Sequence, residues 1–220
     1  MAKRTFIESE TVKKVVLFDI DGTIIDSWDF IYGAFKYTVD FHGLKHPTEE
    51  FMKSTIGKSL SDFYQAAFPM EDHILLGQTH HNFQQARFDS VKLFPNIVST
   101  LKKIKETGFQ IAAVSNRSKD SLHKSLKLAK IHKFFDIIVS ADDVKNPKPH
   151  KDHLMKALKY FKIKSSDAFM VGDTDYDIKA GKHANVSTIG VTYGFAGKDI
   201  KNYNPDFVIN ALDEVLDILK

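Results

Sequence analysis

The chain of 220 residues contains no cysteine, which excludes disulfides and thiolate-held zinc. It also lacks any apolar run near the about 20 residues needed to span a bilayer. The opening MAKRTFIESETVKK is polar, without the apolar centre of a secretory signal, so a cytoplasmic protein is expected. Excess charge is small: 31 Lys and Arg stand against 28 acidic residues, a net +3. The basic residues are dispersed, as in Leu122-His123-Lys124-Ser125-Leu126-Lys127, a pattern of a solvated helix face. With no basic tract or stripe, neither a nucleic-acid nor a membrane partner is expected. What remains is an ordinary globular balance, 43% apolar and 27% charged. That length suits one domain carrying an insertion, or two small ones.

Short apolar runs recur and each breaks at a polar or glycine residue. They are Val15–Phe18 before Asp19, Ile111–Val114 before Ser115, Ile137–Val139 before Ser140, and Phe169–Val171 before Gly172. Ile189–Val191 and Phe207–Ile209 follow. Runs apolar on both alternations read as buried parallel strands. Helical stripes lie between them: Ile97, Leu101 and Ile104; Leu122, Leu126 and Ala129; Leu154, Leu158 and Phe161. A last helix carries Leu212, Val215, Leu216 and Leu219, with Asn210 as its expected N-cap. Strands alternating with helices predict an α/β parallel sheet with helices on both faces.

Residues 26–89 break the alternation, because they hold helical text and no convincing strand. Phe30, Ala34, Tyr37 and Phe41 lie on one helical stripe, and Leu60, Phe63, Tyr64 and Ala67 on another. Gly43, Pro47, Gly57, Pro69 and Gly77 punctuate the segment. Some sixty residues exceed a simple crossover, so an inserted helical domain is expected at 26–89, with the core formed by 1–25 and 90–220.

Four segments at strand ends carry candidate chemistry, and in a parallel sheet such ends converge on one ligand site. Asp19-Ile20-Asp21-Gly22-Thr23 places two carboxylates beyond a buried strand, costly unless used. One can attack phosphorus while its neighbour moves the proton; a bare Asp-x-Asp also suits an Asx-turn. Ser115-Asn116 offers a hydroxyl ahead of a helix N-terminus near Ser118, a phosphate cradle or a plain cap. In Asn146-Pro147-Lys148-Pro149 two prolines hold Lys148 on a stiff turn, where its ammonium can neutralise phosphoryl oxygens. Gly172-Asp173-Thr174-Asp175-Tyr176-Asp177 spaces Asp173 and Asp177 at i, i+4, so both can face one side of a helix's first turn. Hard oxygen ligands of this kind suit Mg2+ or simply match the helix dipole.

In their order and strand-end positions these segments resemble the haloacid dehalogenase superfamily. The resemblance spans essentially the whole core and implies a Rossmann-like fold, with 26–89 as a helical cap domain. It implies Asp19 as nucleophile and Asp21 as general acid/base, with Ser115 and Lys148 on the phosphoryl group. Mg2+ would be held by the Asp19 side chain, the Asp21 backbone carbonyl and Asp173, with Asp177 orienting bound water. Thr23, Asn116, Gly57 and Lys58 are expected to bind substrate, the last two from the turn Ile56-Gly57-Lys58-Ser59. The second carboxylate separates the chain from the dehalogenases, and Thr23 from phosphosugar mutases, which commonly carry valine there. Val191-Thr192-Tyr193-Gly194-Phe195 and Asn204-Pro205-Asp206-Phe207-Val208-Ile209 resemble phosphoglycolate phosphatases, as do Phe94-Pro95 and Asp142-Asp143-Val144. Lys151 departs from that branch's Lys-Pro-x-Pro. The expected activity is hydrolysis of a small phosphate monoester through an aspartyl-phosphate, by a monomer or homodimer. A pyrophosphatase, sugar-phosphate phosphatase or nucleotidase stays open.

Overall fold

The structure is a computed structural model and describes residues 14–48, 51–52, 55, 57–87 and 92–220. The tail 1–13, Ile56 and the expected boundary at 89/90 lie outside the described residues. Six parallel strands form one sheet: β1 (Val15–Phe18), β4 (Gln110–Val114), β5 (Ile137–Val139), β6 (Ala168–Gly172), β7 (Ser187–Val191) and β8 (Phe207–Ile209). Their order is β5-β4-β1-β6-β7-β8, so β1 lies between β4 and β6. The sheet is a Rossmann-like α/β arrangement with helices on both faces.

The strand pleat sorts the apolar residues. Val16 and Phe18 of β1, with Ile111 and Ala113 of β4, face one core. Val15, Leu17, Ala112 and Val114 face the other, as a period of two requires. The first core is covered by α4 (Ile97–Glu106), α5 (Lys119–Leu128) and the C-terminal segment. The second is covered by α6 (Asp152–Phe161) and α7 (Asp175–His183). Such side chains contribute about 1.5–3 kcal/mol each when fully buried.

Between β1 and α4 the chain leaves the sheet through a two-stranded antiparallel ribbon, β2 (Ile25–Asp26) with β3 (Lys92–Leu93). Asp26 is therefore the end of a short strand, not the start of helical text. Beyond the ribbon lie α1 (Trp28–Phe41), α2 (Leu60–Ala67) and α3 (His73–Gln85). They build a third apolar cluster around Phe35, Val39, Met52, Tyr64 and Leu76.

Several local expectations are corrected. The buried stripe of α1 is Phe30, Ala34, Phe35, Thr38 and Val39; Tyr37 and Phe41 are exposed at 41% and 65% and stack on each other. Gly77 sits inside α3 instead of ending a helix. Asn210 does not cap the last helix, because its side-chain oxygen accepts from the Thr192 hydroxyl. That C-terminal element is a short 3-10 turn, Leu212–Glu214, followed by the four-residue α8 (Val215–Ile218).

Candidate active site

The ends of β1, β4 and β6 bring the four segments together. The Asp19 backbone N–H donates to the Val171 carbonyl across the β1–β6 seam at 2.9 Å, which seats the side chain beside the end of β6. Gly22 then turns with φ +79°, a conformation open to glycine at little cost. A Cβ there would collide with the Asp173 carboxylate and the Phe195 ring, so the first and fourth segments touch through this residue.

Lys148 is the centre of the arrangement. Its ammonium donates to Asp19 Oδ1 at 2.6 Å, Asp177 Oδ1 at 2.6 Å and the Val114 carbonyl at 3.1 Å. All three donor positions are thus used by a lysine only 5% exposed. Burial alone would depress this lysine, but the Asp177 and Asp19 carboxylates outweigh it and hold the ammonium above its ordinary value. Asp177 is fixed from its other oxygen by the Thr174 N–H and hydroxyl, at 3.1 and 2.7 Å. Thr174 is the N-cap of α7 and Asp177 its third residue, a reciprocal capping box. Asp173 consequently precedes the helix and does not share its first turn with Asp177. It directly follows β6, where the Phe195 N–H donates to its Oδ2 at 2.7 Å.

Asp19, Asp173 and Asp177 each place one carboxylate oxygen within 4.8 Å of the others, and all three are buried. One lysine against three carboxylates leaves two negative charges uncompensated when all are ionised. Burial first, then the neighbouring carboxylates against the opposing pull of Lys148, pushes Asp19 up to about 7. Burial and the same neighbours drive Asp173 well above the carboxylate range. A buried cluster short of two positive charges, with hard oxygen donors, fits a divalent cation such as Mg2+.

Asp21 is turned away from that cluster. Its Oδ2 pairs with Arg117 Nε at 2.9 Å, both side chains being largely buried. Arg117 also donates to the Ser125 hydroxyl at 2.8 Å, and its guanidinium lies over the Phe30 ring of α1 at 5.1 Å. The sequence reading passed over Arg117; its place directly after Ser115-Asn116 was the available signal. Ser115 is 2% exposed, and its oxygen accepts from the Arg117 N–H at 3.2 Å, which leaves the hydroxyl proton free to donate.

Two expected substrate binders do other work. Thr23 is fully buried and donates to Asp173 Oδ1 at 3.2 Å; the turn at Gly22 points it inward, so it orients a carboxylate. Asn116 donates to the Gly57 carbonyl at 2.7 Å and the Lys148 carbonyl at 2.9 Å, while its oxygen accepts the Lys148 N–H at 2.9 Å. That amide ties the β4 end, the lysine turn and the helical insertion together. Gly57 (φ +94°) packs its backbone against Tyr176 and Thr174. Ser59 spends its hydroxyl as N-cap of α2, accepting from the Asp62 N–H at 3.2 Å. Lys58 lines the cavity, and among the described residues its ammonium has no partner.

The cavity above Asp19 has a volume of about 180 Å³ and lies between strand ends and insertion. Asp19, Asp21, Ser115 and Lys148 line one side; the helices α1 and α3 line the other.

Fold and site together define an α/β enzyme that works at the carboxyl ends of its strands. The haloacid dehalogenase-like hydrolase family matches residues 16–191, and the chain belongs to that family. Among curated relatives, the pyrophosphatase PpaX of Anoxybacillus flavithermus is 33% identical over 206 residues, covering 93% of this chain and 95% of the relative. The PpaX of Halalkalibacterium halodurans is 32% identical over 208 residues, with coverage of 93% and 95%. A structure described as a predicted phosphoglycolate phosphatase from Haemophilus somnus aligns at TM-score 0.87 and 22% identity, covering 94% of this chain and 98% of that one. A haloacid dehalogenase-like family hydrolase from Streptococcus pneumoniae aligns at 0.83 and 24%, with coverage of 94% and 99%. These two likenesses concern the fold. Among the described residues, no helix is long and apolar enough to cross a membrane.

Proposed function

We propose that the protein is a magnesium-dependent phosphatase that hydrolyses a small organic phosphate through a phosphoryl group held on Asp19. The observation that carries this reading is the buried set Asp19, Asp173 and Asp177 around Lys148, two positive charges short of neutrality. Asp19, Asp173 and Asp177, with the Asp21 backbone carbonyl, would hold the cation, which supplies positive charge to the phosphoryl oxygens.

Asp19 attacks phosphorus and forms an acyl-phosphate as the ester oxygen leaves. Asp21 protonates that oxygen, then takes the proton from the water that cleaves the acyl-phosphate. Arg117 positions Asp21 through its Nε contact at 2.9 Å. The Ser115 hydroxyl faces the phosphoryl oxygens as a donor preset where charge develops, and the Lys148 ammonium, its three N–H groups committed, supplies positive charge beside them. The helical insertion beyond the β2–β3 ribbon acts as a cap that excludes water, and Asn116 joins it to the lysine turn. Lys58 reads an anionic part of the substrate. The enzyme works in the cytoplasm as a monomer or homodimer, without nucleic-acid or membrane partners.

A second reading is inorganic pyrophosphate as substrate, favoured by the PpaX relatives at up to 33% identity over 93% of this chain. Phosphoglycolate rests on the motif resemblance. The test is phosphate release from a panel of esters and pyrophosphate, with Mg2+ and with chelator. Release should require Mg2+ and should vanish in Asp19→Asn, which keeps the shape but loses the attacking charge. Substantial turnover in Asp19→Asn overturns the covalent route.

A further inference from the structure

The cap side of the cavity has a chemical character that the phosphoryl-binding side does not share. Trp28 and Tyr32, one helical turn apart on α1, stack face to face with centroids 5.5 Å apart and planes 5° from parallel. Phe195 meets Trp28 at 6.1 Å and 51°. All three rings line the cavity that holds Asp19. Tyr32 is 39% exposed, with one ring face covered by Trp28.

Polar atoms on the same walls are unsatisfied. Arg117 Nη2 and Ser121 Oγ are buried without a hydrogen-bond partner among the described residues, and both residues line the cavity. Such a group is costly to bury unless a ligand or water meets it. His80 of α3 also lines the cavity, with its Nδ1 within 2.9 Å of the Tyr64 hydroxyl. Burial holds it down to about 3, so it is a neutral hydrogen-bonding group at working pH.

Positive charge on these walls is mostly spoken for. Lys148 is committed to Asp19 and Asp177, and Arg117 to Asp21. Of the described lysines and arginines that line the cavity, Lys58 alone has no carboxylate partner. A small and wholly anionic leaving group, phosphate or glycolate, would meet rings and neutral donors for most of its surface. The volume of about 180 Å³ is shared between the phosphoryl group at Asp19 and the leaving group against the rings.

We infer that the preferred substrate is a phosphate monoester whose leaving group carries an aromatic or heteroaromatic ring, seated against Trp28 and Tyr32 and accepting hydrogen bonds from Arg117 Nη2 and Ser121 Oγ. The inference rests on the phosphatase reading above and narrows its substrate class. The reaction is ester hydrolysis: the P–O bond to the ring-bearing alcohol breaks, water supplies the new oxygen, and alcohol and phosphate leave.

Benzyl phosphate and ethyl phosphate test it, because their leaving alcohols are of similar acidity and differ in the ring. With Mg2+, kcat/KM for the benzyl ester should exceed that for the ethyl ester by about 10-fold or more, the scale of a stacked, buried ring. Pyridin-2-ylmethyl phosphate, which adds an acceptor, should exceed the benzyl ester. Trp28→Ala should shrink the benzyl-to-ethyl ratio towards one, and Trp28→Phe should restore part of it. A wild-type ratio near one overturns the inference, as does a higher kcat/KM for pyrophosphate or phosphoglycolate than for every ring ester. If no ester releases phosphate, the phosphatase reading fails. Ring recognition is then decided by calorimetric binding of benzylphosphonate against ethylphosphonate, where equal affinity overturns it.

Discussion

The two walls of the cavity are held in different ways. On the strand-end wall the central charges are bound several times over: Lys148 makes three donor contacts, and Asp177 accepts at both oxygens. Moving one of them breaks a buried charge pair, at a cost of about 3–5 kcal/mol. On the wall from the insertion the rings touch by stacking, and Lys58 touches nothing charged among the described residues. Ring contacts of this kind are worth about 0.5–1.5 kcal/mol each. The first wall is therefore specific in position and the second tolerant, as expected where one phosphoryl chemistry must serve differing leaving groups.

The largest effect that sharpens this contrast lies on the rigid wall. Asp21→Asn should lower kcat by about 10²–10⁴-fold, the usual worth of general acid–base help, while a phosphate analogue still binds. Arg117→Ala, which frees Asp21 without removing it, should cost less. Turnover of Asp21→Asn near that of the parent enzyme would reassign the proton transfer.

An intermediate effect asks whether the two regions melt together. His80 in α3 is held down to about 3 by burial, then by His81 and Arg117. His153 in α6 is held down to about 4 by burial, then by Lys148, and its Nε2 lies 3.1 Å from the Ser115 carbonyl. Both folded values lie below the unfolded histidine value near 6.5, so protons favour the unfolded chain. The stability contributed is present above about pH 6.5 and is lost as pH falls towards each folded value, about 2 kcal/mol per histidine at pH 5. His80→Gln and His153→Gln should each flatten the fall in Tm between pH 7 and 5, measured against the parent protein so that carboxylate titrations cancel. A flattening by His153→Gln alone would mean that the insertion unfolds separately from the sheet.

The smallest effect lies on the tolerant wall. Lys58→Ala should lower kcat/KM for an ester with an extra anionic group by about 10-fold relative to an ester without one, the scale of a charge-assisted hydrogen bond. An unchanged ratio would return Lys58 to the surface.

The same contrast explains what was legible before the structure. Strand ends announce themselves because an apolar run such as Val15–Phe18 must stop where Asp19 begins, and the sheet's parallel order then forces the four segments together. Asp19, Asp173 and Asp177 were singled out in this way, and Lys148 by the two prolines that flank it. Thr23 was misjudged because the direction of a side chain after a glycine turn depends on φ at Gly22, which composition does not encode. Arg117 was missed because its partner, Asp21, is far away in sequence. In the insertion, an amphipathic stripe on α1 has two faces to choose from, and Tyr37 and Phe41 fell on the open one. The ribbon β2–β3 escaped notice because two-residue strands carry no periodicity.

That ribbon has a consequence for how such a protein diversifies. Ile25 pairs with Leu93 and Asp26 with Lys92, so outgoing and returning chain pass through a single hydrogen-bonded neck. The neck pairs with itself and not with the sheet, so residues gained or lost beyond it leave the register of every catalytic strand untouched. Loop-closure entropy makes such length changes cheap, about 0.6 kcal/mol for each doubling. The separate apolar cluster beyond the neck allows the inserted helices to be rebuilt as a cassette. Lineages sharing this sheet can then exchange substrates by swapping that cassette, while the machinery beneath it is inherited unchanged.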